Sequence, residues 1–469
     1  MKRIAIVGGG ISGLTAAYVI EEKRQSGTPI GYVLFEASPR LGGVVVTNRV
    51  DGCVVEGGPD SFLTEKDWAA ELCEKIGLGD QLIGSNDAAR KTYIVTKNKL
   101  VEMPDGLMFM VPTKIMPTVR SPLFSLRTKI RMATEWFRPP RQAAEDETVA
   151  ELVKRHYGSE MVELLADPLL CGIYGGDASQ LSVRAVLPRF ADMESKHGSL
   201  GRGVIKARKK IEAAGGGTRP LFTSLKDGMQ QMVDGLVATL DAKSLQKSAP
   251  VQSLIRQDNG WTVSAGYKTD HFDAVIIATP AQAAAAVLQT TDEELSRELS
   301  EIQYSSSVTV ALGYDEKVRR SLPEGFGFLV PRSEGKRVLA GTFVHNKFSN
   351  RVPENRALVR CFLGGARDEE ILQSSEKDIL RIVREELRQM IAIDAEPLFA
   401  RVYKWKSAMA QYSVGHLERL QRVAAHSERL TGLALAGNGY SGIGVPDCIR
   451  SGADAASKIL TEMGMWSAA

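Results

Sequence analysis

Gly8, Gly10 and Gly13 follow the apolar run 4–7 and meet the spacing G-x-G-x-x-G where a helix should begin. In Gly8-Gly9-Gly10-Ile11-Ser12-Gly13 the glycines allow a tight turn, a close backbone approach to a pyrophosphate and close helix–sheet packing. The helix N-terminus adds free N–H donors and the positive end of its dipole. A second apolar strand, 32–35, ends in Glu36, 23 residues after Gly13, where a carboxylate can accept from ribose hydroxyls. The fingerprint alone is weak. With its strand, helix and acid it predicts a bound dinucleotide.

Arg40-Leu41-Gly42-Gly43 comes directly after the acidic strand end, and Glu56-Gly57-Gly58-Pro59-Asp60 soon after. An NAD domain usually passes from its second strand into another crossover helix. Here a second glycine doublet returns the backbone to the phosphate region, as in FAD enzymes of the glutathione-reductase and amine-oxidase type. The competing reading is a pair of ordinary hairpin turns, since Gly, Pro and Asp are also turn residues. Taken with Glu36, the glycine doublet and Arg40 favour FAD.

Near the other end, the strand-like run 433–436 precedes Gly437-Asn438-Gly439-Tyr440-Ser441-Gly442-Ile443-Gly444-Val445-Pro446. This cluster also matches the fingerprint formally, but only 27 residues follow Gly442, too few for a second nucleotide unit. It reads instead as a glycine loop feeding a final helix, 446–460, with Pro446 in its first turn. The dipole of that helix would face one end of the flavin, where negative charge builds up on reduction. Both chain ends then meet at one cofactor. With no separate NADPH unit, electrons are expected to enter from an organic substrate and leave to dioxygen or a carrier.

Composition narrows the partners. The chain has 469 residues, 43% apolar and 25% charged, so two or three ordinary globular domains are expected. Lys plus Arg number 59 against 56 Asp plus Glu, which gives a nucleic-acid partner no electrostatic support. Cys53, Cys73, Cys171, Cys361 and Cys448 are dispersed, with no C-x-x-C pair, which argues against a disulfide framework and a zinc cage. The first strand leaves no room for a signal peptide, and no apolar run reaches the roughly 18 residues of a spanning helix. A cytoplasmic protein is expected, peripheral at most to the inner face of a membrane.

The positioning elements follow from pattern. Helices are expected over 67–76, 148–170, 226–240 and 369–391, and a hairpin over 91–103. Strands are expected at 273–280, 308–312, 338–344 and 358–363, and a mobile basic glycine loop over 201–217. Residues 105–141 are rich in large apolar side chains and carry seven basic residues, eight with Lys99 just outside. Such a stretch suits an interfacial surface, although a helical subdomain with solvated cations is favoured because Pro112, Pro117 and Pro122 interrupt any long amphipathic period. The predicted class is α/β, with a Rossmann-type discontinuous FAD-binding domain (1–85, 206–300 and 406–469), an α+β substrate domain (86–107 and 301–405) and a helical subdomain (108–205), for which facing a membrane is the alternative role.

Five segments carry a more specific likeness: Glu56-Gly57-Gly58-Pro59-Asp60-Ser61-Phe62, Gly172-Ile173-Tyr174-Gly175-Gly176-Asp177, Lys196-His197-Gly198-Ser199-Leu200, Gln411-Tyr412-Ser413-Val414-Gly415-His416 and Pro446-Asp447-Cys448-Ile449. In this order, over essentially the whole chain, the sequence resembles the protoporphyrinogen/coproporphyrinogen oxidase family, nearest its soluble Gram-positive form. It departs from the family at Gly57, Gly175 and Asn438-Gly439. The resemblance implies coproporphyrinogen III as substrate, with protoporphyrinogen IX the alternative. It implies three hydride transfers to flavin N5, with dioxygen as acceptor and hydrogen peroxide as product. It also implies transient contact with a membrane surface or haem-pathway enzymes. By the family's pattern Gly8 to Gly13, Glu36, Ala37, Val44, Gly58, Pro59, Asp60, Ser61, Val251, Trp405, Ile443, Gly444 and Val445 contact FAD. Lys66, Arg90, Lys91 and Arg337 are the candidate cations for substrate propionates, since carboxylates losing hydration need paired charge. His197, His416, Tyr174 and Cys448 are read as structural, and no catalytic acid or base is assigned.

Overall fold

In the computed structural model, which describes residues 1–141, 145–213 and 219–466, a five-stranded parallel sheet is gathered from the whole length of the chain. Lys2–Val7 lies at its centre, between Ile30–Phe35 and Ala274–Ile277. Leu245–Gln246 and Leu433–Leu435 form the two edges. The last four residues of Lys2–Val7 and all of Ala274–Ile277 are buried, which is why both read as continuous apolar runs. Helices Ile11–Gln25 and Val445–Glu462 pack on each other beside this sheet.

A second, seven-stranded sheet has the order Phe399–Ala410, Tyr304–Asp315, Arg356–Gly364, Val338–Phe343, Gly327–Leu329, Thr92–Thr96, Lys99–Glu102. It is antiparallel except where Gly327–Leu329 runs parallel to Thr92–Thr96. Helix Glu376–Ile391 covers part of it, burying Ile379, Val383, Leu387 and Met390 at helical spacing. An antiparallel meander, Val251–Gln257, Gly260–Ala265 and Lys268–Phe272, lies between the parallel strands in sequence. The described residues between Ile115 and Ala213 are mostly in helices joined by turns.

Several expected elements are divided or moved. The helix expected over 148–170 begins as Val149–Tyr157, with Thr148 and Glu151 forming a capping box, and stops at Gly158, whose φ of +97° ends the regular helix. A π-helical turn, Val162–Ala166, then leads into Asp167–Tyr174, so Pro168 opens a helix instead of closing one. The basic glycine loop expected over 201–217 is instead helix Leu200–Ala213 as far as Ala213, and 214–218 lie outside the described residues. Its apolar positions Leu200 and Val204 are one turn apart and buried, which outweighs Gly201 and Gly203. The long helix expected from 369 is a 3₁₀ turn, Glu369–Gln373, followed by helix Glu376–Ile391 capped by Ser375. Among the described residues no helix is long and apolar enough to cross a membrane.

Candidate functional site

Because the five strands are parallel, their C-terminal ends share one edge, and there the glycine segments meet. Gly8 N–H donates to Phe35 O at 2.8 Å. With φ at +108° and Ala278 O only 2.7 Å from where a Cβ would sit, position 8 accepts glycine alone. A Cβ on Gly13 would overlap the Gly8 carbonyl, so this glycine brings helix and turn together. Gly10 differs: a Cβ there would meet nothing within 4 Å. Helix Ile11–Gln25 has no side-chain cap, so its first N–H groups look into that open space. Open space, uncapped donors and a helix dipole fit a pyrophosphate.

The return loop closes on the same point. Gly42 N–H donates to Gly9 O at 2.8 Å, and a Cβ on Gly43 would come within 3.3 Å of the Gly10 Cα. Arg40 turns back to donate to the carbonyls of Leu41 (3.0 Å), Val45 (2.8 Å) and Gly43, and burial moves its pKa down. Its guanidinium therefore shapes the loop. Glu36 accepts from Gly9 N–H at 2.7 Å and Ser38 N–H at 2.8 Å, and each carboxylate oxygen keeps acceptor capacity for a ribose hydroxyl. Ala37 is exposed beside it. The Glu36 backbone is bonded to Gln246 O and Ala249 N–H, both at 2.8 Å, and this brings Val251 to the same edge.

Gly57 and Gly58 are held by the seven-stranded sheet. Trp405 Nε1 donates to Gly57 O at 2.8 Å, and Arg360 donates to Gly58 O. A Cβ on Gly57 would sit 2.6 Å from the Tyr403 ring, which explains glycine at this position. Asp60 is paired with Lys347 at 3.0 Å and with Arg360 at 3.6 Å, and accepts from Ser61 Oγ at 2.7 Å. Burial opposes its charge, but the two cations hold its pKa far below the usual carboxylate range. Pro59 and the partly exposed Val44 complete this wall. Beneath it, buried Glu56 and Arg351 pair at 2.6 Å.

On the remaining side, Gly437 N–H donates to Ser451 Oγ at 3.0 Å, which ties the glycine loop to the last helix. Ile443, Gly444 and Val445 lead into that helix. Asp447, in its first turn, accepts from Gly444 N–H at 3.2 Å and from Lys66 Nζ at 2.6 and 2.7 Å.

The four candidate substrate cations do not stand together as a group. Lys66 is committed to Asp447, and Arg337 to Asp368 through two bonds of 2.6 and 2.7 Å. Arg90 and Lys91 are half-exposed neighbours whose ion pairs, to Asp87 at 3.9 Å and Glu324 at 3.6 Å, are long. His416 is buried, its ring stacked on Tyr412 at a 4.1 Å centroid separation, and burial lowers its pKa to about 4. Buried Cys448 lies beside Ser12, its thiol pushed up to about 12 by burial. Burial likewise raises the Tyr174 phenol to about 12. His197 ends helix Pro188–His197.

Sequence reading missed Lys347, Arg351 and Arg360. They lie some 290 to 300 residues from the acids they pair with, inside segments that read as polar loop or ordinary strand. Charged residues in nearly continuous apolar surroundings, such as Arg360 within Ala357–Cys361, were the one available signal.

A return loop bonded to the first glycine turn is what separates a flavin dinucleotide fold from a nicotinamide one, and the sheet, helix and loops here are those of an FAD-dependent oxidoreductase. The chain belongs to the flavin containing amine oxidoreductase family, whose model matches residues 11–460. It is 35% identical to coproporphyrinogen III oxidase of Bacillus subtilis (strain 168), with 98% of each chain covered. It is 28% identical to protoporphyrinogen oxidase 2, chloroplastic/mitochondrial, of Arabidopsis thaliana, covering 98% of this chain and 94% of that one. A crystal structure from Exiguobacterium sp. 255-15 superposes with a TM-score of 0.87 at 28% identity, covering 99% of both chains.

Proposed function

We propose that this protein oxidises coproporphyrinogen III to coproporphyrin III in haem biosynthesis, with FAD as cofactor, dioxygen as electron acceptor and hydrogen peroxide as product. The observation that carries the reading is likeness along the full length, not in one motif: 35% identity to the Bacillus subtilis enzyme with 98% of each chain covered. Bound FAD supplies the hydride acceptor for three two-electron oxidations. The chain's own work is positioning, which hydride transfer needs more than a nucleophile. Gly8 to Gly13 and the uncapped helix hold the pyrophosphate, Glu36 the ribose, and Val251 flanks the adenine. The segments 42–44, 58–61 and 443–445, with Trp405, enclose the ring system. Arg90 and Lys91, weakly paired, are of the four candidates the cations freest to exchange partners for a propionate.

The test is direct. Purified protein should be yellow and should convert coproporphyrinogen III to a fluorescent product with three peroxides per porphyrin. Faster turnover of protoporphyrinogen IX moves the reading to that substrate; turnover of neither removes it.

A second reading concerns the helical stretch. On helix Leu126–Glu135 and just beyond it, Leu126, Ile130 and Phe137 fall on one face and are exposed, Leu126 by 73% and Phe137 by 86%. Arg127, Lys129 and Arg131 flank them. An apolar face rimmed by cations supports contact with an anionic lipid surface. Co-flotation with phosphatidylglycerol vesicles but not with phosphatidylcholine vesicles is the expected result. Flotation with neither removes this reading.

A further inference from the structure

We infer that Tyr412 is a positioning residue for the flavin: its phenol fixes the glycine loop between Asn438 and Gly442 to the end of the seven-stranded sheet. The inference rests on the flavin reading above. Tyr412 Oη donates to Asn438 O at 2.7 Å and accepts from Gly442 N–H at 2.7 Å, so one hydroxyl closes both ends of the loop. A phenol can do this because it is donor and acceptor at once. Only 3% of the residue is exposed, and its ring lies on that of His416 with 13° between the planes. The stack costs no buried charge, since burial keeps His416 neutral near pH 7.

The neighbouring contacts make this a junction and not an isolated bond. Asn438 Nδ2 donates to Ala408 O at 2.9 Å, within strand Phe399–Ala410. Gln411 Nε2 donates to Ser305 Oγ at 3.0 Å and to Tyr174 O at 2.8 Å, at the end of helix Asp167–Tyr174. A Cβ on Gly176 would come within 2.5 Å of Gln411 Oε1, so the turn after that helix seats against the same side chain. Gln411 and Tyr412 thus place three parts in register: the helical region, the seven-stranded sheet and the loop that leads into the last helix. A loop with glycines at 437, 439, 442 and 444 has little stiffness of its own and takes its position from these bonds.

The experiment compares the full chain with Tyr412→Phe, which keeps the ring and its stack, and with Tyr440→Phe. The Tyr440 hydroxyl is buried in the same neighbourhood and has no hydrogen-bond partner among the described residues. FAD is titrated into each apoprotein, and the visible spectrum of the bound flavin is recorded. Tyr412→Phe should raise the Kd for FAD about tenfold and shift the flavin absorption bands, with far-UV circular dichroism unchanged. Tyr440→Phe should stay within about twofold of the parent. Equal affinity and spectra for Tyr412→Phe and the parent overturn the inference, as do equal effects of the two variants. A parent chain that binds no FAD instead sinks the flavin reading and this inference with it. Should Tyr412→Phe not fold, amide exchange on the parent decides: slow exchange at Gly442 supports the clamp, and exchange at the rate of an exposed loop overturns it.

Discussion

Gly452, in the last helix, lies so close to Ser12, in the first, that a methyl group on it would overlap the Ser12 carbonyl oxygen. Head and tail of the chain are thus in backbone contact beside the parallel sheet. Gly452→Ala must push the two helices apart, at a cost of about 1–3 kcal/mol. The expected outcome is a lower Tm in thermal unfolding, with weaker retention of FAD; an unchanged Tm would mean that the helices adjust freely.

Gly10 and Gly13 should separate binding from folding. A methyl group at Gly10 meets no protein atom within 4 Å, so Gly10→Ala should fold with an unaltered Tm as apoprotein yet bind FAD about tenfold or more weakly, because the methyl occupies space kept for phosphate. At Gly13 the methyl overlaps the Gly8 carbonyl, so Gly13→Ala should lower the Tm of the apoprotein itself. Isothermal titration and thermal melts of both variants test the contrast.

His156 gives stability a pH dependence. It is buried between Glu135 at 3.0 Å and Glu194 at 2.9 Å, and Arg155 also donates to Glu194 at 2.8 Å. Ser199 Oγ and Leu200 N–H donate to Glu135, and the Tyr157 phenol is buried beside the pair. Burial opposes protonation of His156, but its hydrogen bonds to the two carboxylates win and raise its pKa above the ordinary value of about 6.5. The folded protein therefore holds a proton that the unfolded chain releases. The stabilisation is complete below about pH 6.5 and is lost as pH rises through the raised value. Between pH 6 and 9 the Tm of the parent should fall more steeply than that of His156→Gln; parallel curves would contradict this.

Arg90 and Lys91 are tested through KM. The double change Arg90→Gln, Lys91→Gln removes two half-exposed charges whose present ion pairs are long, so the Tm should stay nearly constant. KM for coproporphyrinogen should rise several-fold while kcat holds, as when uniform binding is removed. Unchanged kinetics would take both residues out of the substrate site.

The nucleotide end of the molecule could be read from the chain because its signals are local. A strand, a glycine turn, a helix and an acid lie within 36 residues, and close backbone approach needs glycine whatever surrounds it. The final helix was equally readable from Pro446, although it starts one residue earlier and runs to Glu462. Where local composition and packing disagreed, reading failed: the glycines and cations from 201 onward suggested a loop, but burial of Leu200 and Val204 makes a helix.

By itself the sequence determined the first βα turn and the glycines that it requires, since those constraints act between neighbours along the backbone. Tertiary structure alone decided what holds the rest in place. The pairing of Asp60 with Lys347 and Arg360, the commitment of Lys66 to Asp447 and the bridging of Asn438 and Gly442 by Tyr412 all join residues far apart in sequence or bound through backbone groups. Such contacts leave no periodic trace, because a buried charge or phenol is defined by its partner, and only the folded chain supplies one.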